Sequence, residues 1–141
     1  MATIEKFEDI EAWKKARELT RYIYRVTATG EFSRDFGLRD QIRRASVSIM
    51  SNIAEGFERG GNKEFSQFLA TAKGSAGEVK SQLYVAMDAG FIDRSEFKKL
   101  YEKCTEIGRL IAEFMKYLAQ TELRGQKYAT TRNNFERGTL N

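Results

Sequence analysis

Within QIRRASVSIMSNIAEGFERG, residues 41–60, five polar side chains share a narrow helical sector at 100° per residue: Gln41, Ser48, Asn52, Glu55 and Arg59. A carboxylate beside small polar groups could do acid/base chemistry, with Glu55 as the base and Ser48 or Asn52 polarising a substrate. The sequence supplies neither a nucleophile partner nor a metal set for it. The simpler use is a seam of hydrogen bonds between helices or subunits that fixes their register. Gln41, Ser48, Asn52 and Glu55 are its candidate members, with Asn52 at the edge of the core.

Composition narrows the chemistry further. Histidine is absent and Cys104 is the single cysteine. A Ser-His-Asp or Cys-His group and a Cys/His zinc site are therefore excluded, and no disulfide can close within the chain. A reducing cytoplasm is the natural setting. The stretches KGSAGE (73–78) and RGGNKEF (59–65) put glycines near a lysine but lack the strand-loop-helix context of a phosphate loop. No cofactor or metal is expected, and the chain reads as a non-enzyme.

Cations offer a different chemistry. The chain carries a formal charge of +4 with pI about 9.2, which permits nucleic-acid binding without demanding it. Lys14, Arg21 and Arg25 share one face of the first helical segment. Arg43 and Arg44 open the second and Arg59 closes it. These six are the candidate nucleic-acid contacts. Lys14 with Glu18, and Asp40 with Arg44, also have ion-pair spacing.

The elements that must position these residues are helices. Proline is absent from the 141 residues, which favours long helices with short connections. Hydrophobic spacing predicts helices over 7–27, 38–58 and 63–89, and a fourth running to about 121. Asn62 is a plausible N-cap, Gly90 a C-cap, and DRSE (93–96) has the form of a capping box. Residues 1–121 thus form an all-α, antiparallel up-down-up-down four-helix bundle. Residues 122–141 lose the period and read as a flexible basic tail. No apolar run approaches the roughly 20 residues needed to span a bilayer.

Two helices carry a second face. Val47, Met50 and Ala54 lie away from the core stripe of helix 2, and Ala70, Gly74, Gly77 and Ser81 away from that of helix 3. A glycine inside a helix costs about 1 kcal/mol relative to alanine, so close approach of another helix is a natural compensation. These seven residues are the candidate interface of a ring-like homo-oligomer. Repetition around a ring would multiply phosphate contacts from the basic clusters.

Several separated motifs now agree with one family. FEDIEAWKKARELTRYIY, GLRDQIRRA, SNIAEG, EFSQFL and GSAGEV occur in order across about residues 7–92. The chain resembles the four-helix proteins encoded in 23S rRNA intervening sequences, a family that includes the accessory variability (Avd) proteins of diversity-generating retroelements. Met50 stands where that family usually has proline, so the helix should be less kinked or differently packed there. The resemblance implies a homopentamer. For the retroelement members it implies binding to a reverse transcriptase and to RNA or DNA, with the polymerase chemistry in the partner. For the rRNA members the role is undefined, and a structural or protein-interaction module is the alternative reading.

Overall fold

Four long helices carry the chain: α1 (Glu11–Val26), α2 (Phe36–Arg59), α3 (Asn62–Asp88) and α4 (Arg94–Gln120). They are seen in a computed structural model that describes residues 4–121; the expected basic tail at 122–141 lies outside the described residues. Among the described residues there is no strand. Each helix buries one stripe, with Leu19 and Ile23 on α1, Ile42, Ile49 and Ile53 on α2, Phe65, Leu69 and Leu83 on α3, and Leu100, Ile107 and Ile111 on α4. Fully burying a side chain of this size contributes roughly 1.5–3 kcal/mol, which makes these stripes the main force holding the helices together.

Contacts between named residues fix the topology. Thr20 donates to the Ser46 carbonyl (3.2 Å) and Arg43 reaches Thr27 (2.8 Å), so α2 returns along α1. Ser48 meets Ser75 (2.9 Å) and Arg59 meets Glu64 (2.8 Å), so α3 returns along α2. Phe65 packs edge-on against Phe114, and Tyr84 lies against Phe97, so α4 returns along α3. Glu18–Lys103 and Lys15–Glu106 close the square between α4 and α1. The bundle is the up-down-up-down arrangement that the spacing predicts.

The ends hold what periodicity does not reveal. The expected first helix is broken at Ile10, which is extended and buried. Before it, Phe7–Asp9 form a 3-10 turn in which the Asp9 carboxylate accepts from the Glu5 and Lys6 N–H groups. Trp13 sits half-buried at the rim against Phe7 rather than in the core. The first connection is a second 3-10 turn, Glu31–Arg34, whose Phe32 is fully buried and stacks on Phe91. Asp35 caps α2 through the Leu38 N–H, and α2 runs unbroken through Met50.

Gly90 takes φ +81° after α3, where its N–H bonds to the Met87 carbonyl and that of Phe91 to Ala86. This is the double bond pattern that satisfies orphan carbonyls at a helix end, and only a residue free of a Cβ enters that conformation without strain. Asp93 caps α4 by accepting from the Glu96 N–H (2.8 Å). Asn62 departs from its expected role. Gly61 is the N-cap of α3, and the Asn62 amide instead donates across the bundle to the carbonyls of Leu118 (2.9 Å) and Thr121 (2.7 Å). The last carbonyls of α4 lack helical donors, and Asn62 supplies one from 56 residues away.

Candidate functional site

The polar seam is real but smaller than expected, and it lies inside the protomer. Ser48 shares a hydrogen bond with Ser75 of α3, and the Asn52 amide donates to the Ser48 carbonyl (2.9 Å) and hydroxyl (3.0 Å). Ser75 is buried and was not among the expected members, though it borders the apolar stripe between Ala72 and Ala76. Gln41 and Glu55 are exposed. Glu55 is drawn away by Arg59 (2.9 Å), because an ion pair is open to a charged group that a neutral seam is not. Ser46 spends its hydroxyl on the Arg43 carbonyl of its own helix.

Small residues in this region let α2 and α3 approach closely. A Cβ on Gly56 would come within 2.7 Å of both the Phe65 ring and the Phe68 Cβ. Gly74 and Gly77 are the opposite case: a Cβ on either meets nothing within 4 Å. With Ala70 and Ser81 they lie exposed on the outer side of α3. Ala70 and Gly74 border Ala112 and Met115 across a shallow groove with α4.

The α2 face expected beside them is placed elsewhere. Met50 is half-buried and packs on the protomer's own core, Ala54 is half-buried, and Val47 is 37% exposed. At 100° per residue Met50 stands only about 80° from the core direction, on the flank toward α1. The two expected interface stripes therefore do not form one continuous patch.

The six candidate cations are divided between opposite ends of the bundle. Arg59 lies roughly 20 Å along α2 from Ser46, which Thr20 of α1 contacts. It is held between Glu55 and Glu64 over the Phe68 ring, and the Glu55 bond leads the causes that raise its pKa. Arg43 turns inward. Its Nε donates to Thr27 Oγ1, its other arm reaches the Tyr24 carbonyl (3.5 Å), and its guanidinium lies 4.4 Å from the Tyr24 ring. A cation over the last carbonyls of a helix also complements its dipole, so Arg43 is occupied in fastening α1 to α2.

Arg21 and Arg44 are exposed and have no partner among the described residues. Arg25 lies over the Tyr22 ring, and Lys14 pairs loosely with Glu11 (4.0 Å). The expected Lys14–Glu18 and Asp40–Arg44 pairs are replaced: Glu18 faces Lys103 of α4, and Asp40 takes Arg39. Lys99 and Lys103 join Arg25 around Tyr22, a grouping invisible to helical spacing because its members come from two distant segments.

The remaining reactive groups are quiet. Burial pushes the Cys104 thiol up to about 12. Burial also raises the Tyr117 phenol. Among the described residues no group of three His, Cys, Asp or Glu side chains could hold a metal ion, and no helix is long and apolar enough to cross a membrane.

Comparison with known proteins adds to this geometry. The chain matches a family described as 23S rRNA-intervening sequence protein over residues 8–113. The fold is similar to a crystal structure of a protein of unknown function from the S23 ribosomal protein family of Bacteroides thetaiotaomicron VPI-5482. That likeness has a TM-score of 0.68 at 24% identity, covering 74% of this chain and 98% of the other. No curated protein matches the chain.

Proposed function

The chain belongs to the 23S rRNA-intervening sequence protein family, and from that premise we propose that it is a non-enzymatic, homopentameric scaffold that binds RNA or DNA. One observation carries the reading: the protomer displays residues it does not itself use. Gly74 and Gly77 weaken the helix they sit in, yet nothing in the protomer needs their missing side chains. Arg21 and Arg44 are exposed cations without carboxylate partners among the described residues. A second copy on the α3–α4 groove would use the glycines, and backbone phosphates would use the arginines.

Assembly multiplies the weak charge of one protomer. Each neutralised phosphate releases counterions, so five copies around an axis give tight, salt-sensitive binding without sequence reading. In the retroelement setting that the motifs resemble, the partner is a reverse transcriptase that holds the polymerase chemistry, while this chain holds the template or product in the cytoplasm.

Molar mass by light scattering, with and without a structured RNA, tests the proposal. Five times the protomer mass of 16.2 kDa is expected, together with RNA bound at low salt. A monomer at micromolar concentration sinks the assembly. A pentamer that binds neither RNA nor DNA at low salt leaves a structural or protein-interaction module instead.

A further inference from the structure

We propose that the seam between the C-terminal half of α1 and the N-terminal half of α4 is a phosphate-backbone track for nucleic acid, built on Tyr22 from Arg25, Lys99 and Lys103. The proposal rests on the nucleic-acid reading above and says where on the protomer the backbone lies and how it is held.

Three cations converge on one half-buried ring. The Lys99 and Lys103 ammonium groups stand 4.5 and 4.8 Å from the Tyr22 centroid, and the Arg25 guanidinium 5.6 Å. Any two of them are therefore no farther apart than about one Debye length at 0.1 M salt, roughly 10 Å, and repel each other. Among the described residues one carboxylate pairs with them: Glu18, 3.9 Å from Lys103. Farther along the seam, Lys15 and Glu106 cancel each other at 4.0 Å. The ring holds the cations in place, but a quadrupole carries no net charge and leaves their outward field standing.

The shape fits a strand rather than a point ligand. Lys99 and Lys103 are one turn apart on α4, about 5–6 Å apart along the seam, and Arg25 stands across from them on α1 over the same ring. Because cations already cover the Tyr22 ring, it is not a stacking platform for bases, and the contact is to phosphate alone. The far end of the same seam has a different character. There Asp9, Glu11 and Glu113 line a groove with Ile4, Phe114 and Tyr117. Glu11 and Glu113 are paired there with Lys14 and Arg109, so charge at that end is balanced and the cluster of cations lies at the Tyr22 end.

Fluorescence anisotropy with a labelled 20-base-pair DNA duplex and a labelled structured RNA tests this on the full chain. The variant Arg25→Gln/Lys99→Gln/Lys103→Gln is compared with Lys6→Gln/Lys63→Gln/Lys116→Gln, which removes the same charge from exposed positions near the other end. The first should lose at least tenfold in affinity at low salt. Its log-log salt slope on the duplex should be shallower by about 2–3 per engaged protomer, at roughly 0.9 per phosphate contact. The control should keep both within about threefold.

Equal losses in the two variants would reduce the effect to net charge and overturn the proposal. An unchanged first variant, beside a wild type that binds, overturns the track but leaves the general reading standing. A wild type that binds neither probe overturns both. Should the first variant misfold, lysine acetylation footprinting of the wild type decides: bound RNA should protect Lys99 and Lys103 but not Lys63 and Lys116, and the reverse pattern overturns the track.

Discussion

The α2–α3 and α1–α4 seams divide the work of this bundle between them. Between α2 and α3 the residues are small, neutral and closely approached, with Gly56 under Phe65 and Phe68, and Ser48 bonded to Ser75. Between α1 and α4 they are long, charged and partly exposed, with Lys15, Glu18 and Tyr22 facing Glu106, Lys103 and Lys99. A close, neutral seam tolerates one register and specifies the fold. A seam bridged by long side chains holds its helices apart and leaves their charged ends available to a partner. The residues whose composition looks most like an active site thus bond to one another within the protomer, and the cations around Tyr22 lie on the other side of the molecule.

The largest way to break this contrast is at Gly56. Gly56→Ala places a methyl group 2.7 Å from the Phe68 Cβ, an atom tied to its backbone, as well as from the Phe65 ring. Overpacking of this kind should lower stability by about 1–3 kcal/mol, read as a shift in the urea midpoint. Gly77→Ala meets nothing inside the protomer and, read on the monomer at a concentration where the oligomer has dissociated, should have the opposite sign, stabilising it by up to about 1 kcal/mol from helix propensity. If both glycines respond alike, the α2–α3 seam is no more closely packed than the outer face of α3.

Cys104 sharpens the contrast by asking how dry the core behind both seams is. Its thiol lies on the inner side of α4, and burial raises it from 9.0 to about 12. Between those values the folded protein keeps a proton that the unfolded chain releases. Its contribution is intact below pH 9 and falls as pH rises toward 12, by up to about 1.4 kcal/mol per pH unit. The measurement is the difference in denaturant stability between wild type and Cys104→Ala across this window. A parallel pH dependence in the two proteins would mean that water reaches the thiol inside the bundle.

The seam residues test whether the small polar groups act as a unit. Ser48→Ala strips Ser75 and Asn52 of a partner and should cost about 1–2 kcal/mol. Ser75→Ala should cost a similar amount. The double variant should cost clearly less than the two added together, since no buried hydroxyl is then left opposite an empty position. Strict additivity would show that the Ser48–Ser75 bond holds nothing.

These contrasts explain how much the sequence could disclose. Apolar stripes such as Ile42, Ile49 and Ile53 were legible because a helix repeats its buried face every 3.6 residues, and the repeat needs no knowledge of the neighbour. The same rule misplaced Met50, whose angle lies on a flank that only the position of α1 resolves. Asn62 and Phe32 were missed as bundle closures because their partners, Leu118 and Phe91, are 56 and 59 positions away. Ser48 and Asn52 were legible as a seam, whereas Ser75 needed the register of α3 against α2. Of the Tyr22 cluster, Arg25 was visible as one cation among several; Lys99 and Lys103 join it only when α4 folds back along α1.

The smallest expected effect concerns the charged seam as a source of stability. Glu18 and Lys103 are 3.9 Å apart with side chains 39% and 24% exposed. Pairs in this setting contribute about 0–1 kcal/mol, because screening and side-chain entropy offset the attraction. Lys103→Gln and Glu18→Gln should each change the urea midpoint by an amount equivalent to less than about 0.5 kcal/mol. Their effects on phosphate binding should be opposite in sign: removing Lys103 weakens it, and removing Glu18 strengthens it by unmasking the remaining cations around Tyr22. A large stability loss from either substitution would place this seam with α2–α3 as part of the fold's specification. A small loss with opposite binding effects separates holding the bundle together from what its surface is for.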